Sequence, residues 1–99
     1  MPVKVYLTQM LVRHLNILPE LTVDAESLGS LIDVLERSHH GFRDSICDES
    51  GRIRAYVNVF LNGEKLSQDS GALRTPLSNG DELYILASVA GGNRLSWSS

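Results

Sequence analysis

Only one stretch of this chain carries the apolar spacing of a long amphipathic helix, and it stands among runs that alternate like strands. Leu28, Leu31, Ile32 and Leu35 recur at i, i+3, i+4 and i+7. That is the stripe of a helix lying on a core. Asp24, Glu26 and Ser27 precede it, placing capping groups and negative charge at its start. Gly41 marks its stop. Gly29 inside it costs about 1 kcal/mol against alanine, so it reads as a point of close approach to a sheet. One helix cannot cover both faces of a sheet, so the expected architecture has two layers.

The strands are written in period two. Val3, Val5 and Leu7 alternate with Lys4, Tyr6 and Thr8. Gln9 to Leu18 reads as irregular, interrupted by Pro19, and Leu21 and Val23 make a short second strand. These two runs form an N-terminal hairpin with a long loop. Phe42 to Cys47 allows one further helical turn, and Asp48 to Gly51 a loop. The clearest strand is Ala55, Val57, Val59 and Leu61 alternating with Tyr56, Asn58 and Phe60. Asn62-Gly63 follows directly, a strong hairpin signal, then a short edge strand over Glu64 to Leu66. Gln68 to Pro76 is a polar connection, Asn79-Gly80 a second tight turn, and Leu83 to Ala87 the last strand. A right-handed crossover through the helix brings the first strand beside a later one. The expectation is an α+β, β-grasp (ubiquitin-like) fold. Four to five strands form a mixed sheet with first and last parallel at its centre, and one main helix packs on one face.

The chain has 99 residues, enough for one core and one small domain. Net charge is -3, with both signs interspersed and no basic cluster, so no nucleic-acid partner is expected. No apolar run approaches the roughly 18 residues that span a bilayer, and no signal-peptide pattern opens the chain. Cys47 is the single cysteine, which removes a disulfide framework and points to a cytoplasmic home. It reads as an inert, partly buried thiol. His39 and His40 are adjacent and point apart, and His14 stands alone. They read as helix-end and surface groups rather than ligands, so no metal site is expected. No catalytic constellation emerges.

The unusual feature is the end. Ser88-Val89-Ala90-Gly91-Gly92 follows the last strand, and Asn93 to Ser99 follows that. At average glycine usage, some Gly-Gly pair falls in the last ten residues of about one protein in twenty by chance. Its place just past the last strand of a β-grasp pattern gives it weight. Here the chain resembles the bacterial ubiquitin-like sulfur carriers of the ThiS/MoaD family. These include the small subunit of molybdopterin synthase and the carriers of thiamine and cysteine biosynthesis. The likeness rests on Asn79-Gly80-Asp81-Glu82-Leu83-Tyr84-Ile85-Leu86, on Val89-Ala90-Gly91-Gly92, and on Val57-Asn58-Val59-Phe60-Leu61-Asn62-Gly63. It extends from Val3 to Gly92 and is nearest the cysteine-type carrier. Typical members stop at the second glycine, whereas this chain runs on through Asn93 to Ser99.

The resemblance implies residues 1–90 as the β-grasp domain, 91–92 as a functional terminus and 93–99 as a removable extension. The protein would be a carrier, not an enzyme. Proteolysis between Gly92 and Asn93 exposes a carboxylate, which an E1-like enzyme adenylates with ATP. A sulfur donor then converts it to a thiocarboxylate for a downstream synthase. The expected partners are that E1-like enzyme, a metalloprotease and the synthase, with no cofactor bound by the chain itself. Val89, Ala90 and Gly91 serve as the pliable tail. Two glycines leave the carboxylate unobstructed, and five extended residues reach about 17 Å. A modifier joined through Gly92 to a lysine, or a non-covalent interaction module, needs no different sequence up to that point. Alternation also places Tyr6, Tyr56, Phe60, Tyr84 and Leu86 opposite the helix-packed face, the expected partner-binding patch.

Overall fold

A computed structural model describes residues 2–87. β1 (Pro2–Leu7) buries Val3, Val5 and Leu7 and leaves the alternate positions outside, as its period requires. The segment expected to be irregular instead opens with α1 (Gln9–Leu15). Leu11 is its buried anchor. Asn16 closes it in the left-handed region (φ 53°), and the Ile17 N–H returns to the Val12 carbonyl at 3.1 Å. This is a Schellman-type stop built on asparagine.

β2 (Glu20–Asp24) pairs antiparallel with β1, giving the expected hairpin with α1 inside its connection. α2 (Leu28–Ser38) is the expected main helix. Ser27 and Ser30 form a reciprocal capping box: Ser27 Oγ accepts from the Ser30 N–H (3.2 Å), and Ser30 Oγ from the Ser27 N–H (3.1 Å). Its stripe of Leu28, Leu31, Ile32 and Leu35 is buried. The helix ends at Ser38 with His39 as its C-cap, short of Gly41. Gly41 instead opens α3 (Phe42–Ile46) with φ 97°. The Glu36 carboxylate ties this junction, accepting from the N–H groups of Arg43 (2.8 Å) and Gly41 (3.2 Å). Arg43 also pairs with Asp33.

β3 (Val57–Leu61) is shorter than its sequence pattern, because Ala55 and Tyr56 form a turn before it. Asn62 (φ 52°) and Gly63 (φ 89°) make the type I′ turn to β4 (Glu64–Lys65). The polar connection contains a 3-10 turn over Ser70–Arg74, with Ala72 in the core. Gly29 packs against this turn rather than the sheet. A Cβ there would stand 3.1 Å from the Leu73 carbonyl oxygen. β5 (Glu82–Ala87) ends the described chain.

The sheet order is β2-β1-β5-β3-β4, with β1 and β5 parallel and the other pairs antiparallel. β5 is the middle strand. The α+β, β-grasp expectation holds, with five strands and, among the described residues, two short helices beside the main one. Val3, Val5, Val57, Val59, Leu83 and Ile85 face the helical layer, where Leu31, Ile32 and Phe42 are fully buried. Among the described residues, no helix packs on the opposite face of the sheet.

Candidate functional site

The outward face of the sheet carries one lateral row that crosses all five strands. Register sets Glu20 opposite Tyr6, Tyr6 opposite Tyr84, Tyr84 opposite Phe60, and Phe60 opposite Lys65. Odd positions in β1 and β5 enter the core, so even positions face outward. The Tyr6 and Tyr84 rings stack with centroids 4.5 Å apart and planes 17° from parallel. Cross-strand aromatic pairs of this kind also stabilise the sheet. Burial, then the carboxylates of Glu20 and Glu82 and the neighbouring Tyr84, raise the Tyr6 phenol above its ordinary value. Leu86 lies on the same face, one outward position beyond Tyr84 and opposite Asn58. Tyr84 is 38% exposed. Charged positions flank the aromatic centre, with Glu20 and Lys65 at its ends and Lys4 paired to Glu82 beside it. An apolar centre with a polar rim is the anatomy of a protein-docking surface.

Four of the five expected patch residues therefore share a face. Tyr56 does not join them. The alternation that would carry it outward fails, since it sits in the turn before β3. It lies against the core edge, in a cleft lined also by Met10 and His14 of α1 and Asp44 of α3. Leu18 was not expected and is more exposed than any other large apolar residue described, at 66%. The neighbouring Pro19 carbonyl accepts from the Leu7 N–H at 2.9 Å. Leu18 therefore lies at the end of the sheet where β5 finishes, since Leu7 also pairs with Ile85. Its only sequence signal was an apolar residue before a proline in a connection.

That end of β5 is held by Thr8. The Ala87 N–H donates to Thr8 Oγ1 at 3.2 Å, and the hydroxyl faces the Ala87 carbonyl at 3.4 Å. The chain continues from there toward the expected functional terminus. Val89, Ala90, Gly91, Gly92 and Asn93 lie outside the described residues, as does the expected extension.

Other candidates do not assemble into a site. Cys47 is 2% exposed. Burial raises its thiol above the ordinary value, outweighing Arg43 and Arg54, which act the other way; Asp48 adds to the rise. A buried thiol held protonated is a poor nucleophile. His39 caps α2, and His14 is in the last turn of α1. Among the described residues no cluster of three or more His, Cys, Asp or Glu side chains could hold a metal ion. No helix among them is long and apolar enough to cross a membrane.

Comparison with known proteins gives this geometry a family. The model of the ThiS family matches residues 12–92. The chain is 32% identical over 94 residues to the sulfur carrier protein CysO of Mycobacterium tuberculosis, covering 93% of this chain and all of the relative. Among solved structures, it superposes on a chain of the Amycolatopsis orientalis BexX/CysO complex with a TM-score of 0.77 and 29% identity. That match covers 91% of this chain and 99% of the other. Small archaeal modifier protein 1 of Methanosarcina acetivorans superposes with a TM-score of 0.71 and 27% identity, over 92% of this chain and 96% of the other. With a family match from residue 12 through the second glycine and a relative 32% identical over nearly the whole chain, this chain belongs to the ThiS family of ubiquitin-like sulfur carriers.

Proposed function

We propose that the chain carries sulfur on the carboxylate of Gly92 after residues 93–99 are removed. The observation that carries this reading is where the family match stops: at residue 92, the second glycine. An E1-like enzyme, docked on the aromatic row, receives the tail. The Gly92 carboxylate attacks the α-phosphorus of ATP, releasing pyrophosphate and forming an acyl adenylate. Hydrosulfide then attacks the acyl carbon, the bond to AMP breaks and AMP leaves, giving a thiocarboxylate that a downstream synthase consumes. The chain supplies the acyl group and the docking face; the partner enzymes supply catalysis. In the full-length chain the Gly92 carbonyl is an amide to Asn93, so a metalloprotease cut after Gly92 acts as the switch.

The test compares the full-length chain, a version ending at Gly92, and that version with Gly91 and Gly92 both changed to alanine. Only the second should gain about 16 mass units, oxygen exchanged for sulfur, because only it offers an unhindered carboxylate on a pliable tail. Equal thiolation of the full-length chain without prior cleavage would refute the switch. No adenylation of the second protein by any cognate E1-like enzyme would refute sulfur carriage. A second reading, transfer of the same activated Gly92 to a lysine amine, is favoured by the likeness to a small archaeal modifier protein. It predicts higher-mass covalent conjugates in place of the small mass gain.

A further inference from the structure

We infer that the Thr8 hydroxyl is a positioning group that holds Ala87, the last described residue of β5, in the sheet, and through it governs the placement of the reacting carboxylate. The inference rests on the sulfur-carrier reading above and names how this chain presents its tail.

Thr8 is the N-cap of α1, and its carbonyl accepts the first helical bond from the Val12 N–H at 3.0 Å. A threonine there ordinarily turns its hydroxyl onto the exposed N–H groups of the first turn. Here no such bond is made. The hydroxyl reaches instead to Ala87, accepting from its N–H at 3.2 Å and facing its carbonyl at 3.4 Å. The Thr8 N–H adds a 3.4 Å bond to the Ile85 carbonyl.

The reason lies in the ladder. β1 is paired with β5 only as far as Leu7 opposite Ile85, because the chain turns into α1 at the next residue. On its other side β5 remains paired through Ala87, opposite Val57. The N–H and C=O of Ala87 would thus face a missing strand. A hydroxyl has one proton and two lone pairs, so one side chain can serve both groups. Thr8 stands in for the strand that β1 no longer provides, at the last described residue before the tail.

Losing that hydroxyl leaves the N–H and C=O of Ala87 without their partner on the β1 side, so the strand end is held by β3 alone. The docking row of Tyr6, Tyr84 and Phe60 lies further back along the strands and keeps its pairing. Encounter with the activating enzyme is then unchanged, while placing the carboxylate requires the strand end to be re-formed in the complex. The loss falls on kcat rather than KM.

The experiment uses the version ending at Gly92 for turnover and the full-length chain for amide exchange. Thr8→Val keeps the shape and removes the hydroxyl; Thr8→Ser keeps the hydroxyl. Asn62→Ala is the stability control, because Asn62 links the two turns at the opposite end of β5. Thr8→Val should lower kcat of adenylation about fivefold, the factor one net hydrogen bond supplies. KM should stay within about twofold, Thr8→Ser should restore kcat, and Asn62→Ala should leave it in place. The Ala87 amide should be protected from exchange in the parent and in Thr8→Ser, and lose that protection in Thr8→Val. An unchanged kcat in a folded Thr8→Val protein would overturn the inference, as would an equal fall in Asn62→Ala. An Ala87 amide that exchanges freely in the parent would overturn it without any enzyme. Failure of the parent to be adenylated at all is a different result: it removes the carrier reading itself.

Discussion

Tyr84 and Phe60 face each other across β5 and β3 at the middle of the outward sheet face. Aromatic side chains at the centre of an interface carry a disproportionate share of binding energy, while rim charges carry little. Phe60→Ala and Tyr84→Ala should each weaken binding to the activating enzyme about tenfold or more, with the circular dichroism spectrum unchanged. Unchanged affinity by calorimetry in both folded variants would remove the docking role of the row. Tyr56→Ala should leave that affinity in place, since Tyr56 belongs to the cleft beside α1 and α3. Four patch residues were legible because strand alternation needs only correct phase. Tyr56 was misplaced because the same phase was extended two residues beyond where β3 begins. Gly41 illustrates a different limit. Its φ of 97° is open to glycine and strained for other residues, so Gly41→Ala should cost about 1–2 kcal/mol in chemical denaturation. Its sequence position suggested a helix stop, whereas it turns the chain into the next helix.

At the scale of elements, the junctions are held by side chains whose partners lie several residues away. Glu36 accepts the Arg43 and Gly41 N–H groups, and these bonds lower its pKa from the ordinary 4.5, with His40 assisting and burial opposing. A folded pKa below the unfolded one stabilises the fold above the unfolded value, and the benefit is lost as pH falls through the folded value. Asp48 behaves alike through Ser50 and Arg52, and Asp81 through Asn62 and Ser78, both below the ordinary 3.8. Stability should therefore decline as pH falls below about 5. Glu36→Gln should shallow that slope while lowering stability at neutral pH, measured by urea denaturation across a pH series. At the other end of the sheet, Asn62 donates to Asp81 (3.0 Å) and accepts from the Glu82 N–H (2.9 Å). The two Asn-Gly turns thus brace one another. Asn62→Ala removes both bonds and places alanine at positive φ, so a loss of about 2 kcal/mol is expected by thermal or chemical unfolding. The Asn-Gly pairs were readable as turns; their link, 19 residues apart in sequence, was not. α1 was missed for a related reason. Its seven residues are too few to repeat an apolar stripe, and its stop uses Asn16 where a glycine would have been noticed.

For the whole molecule, the decisive fact is that β5 is the middle strand of the sheet, paired with β1 on one side and β3 on the other. Its pairing with β1 joins the two ends of the described chain. If residues 93–99 are a removable block that makes no core contact, the version ending at Gly92 should melt within about 2 °C of the full-length chain. A larger drop, together with a blue-shifted Trp97 emission in the full-length chain, would mean that Leu95 and Trp97 cover the aromatic face instead of serving as a removable block. What the sequence by itself determined was periodic or local: the strand phases, the stripe of α2 with its serine cap, the two Asn-Gly turns, and a Gly-Gly sequence placed after the last strand. Those depend on neighbours within about one helical turn, or on side-chain alternation along a single strand. Only the tertiary structure decided which strand lies beside which side chain at the sheet's ends. Thr8 gives up its local cap for Ala87, Leu18 comes to the end of the sheet near Ala87, and Tyr56 leaves the outward face of the sheet. Each outcome turns on contacts between distant segments, or on where a strand stops, and neither leaves a periodic mark in the chain.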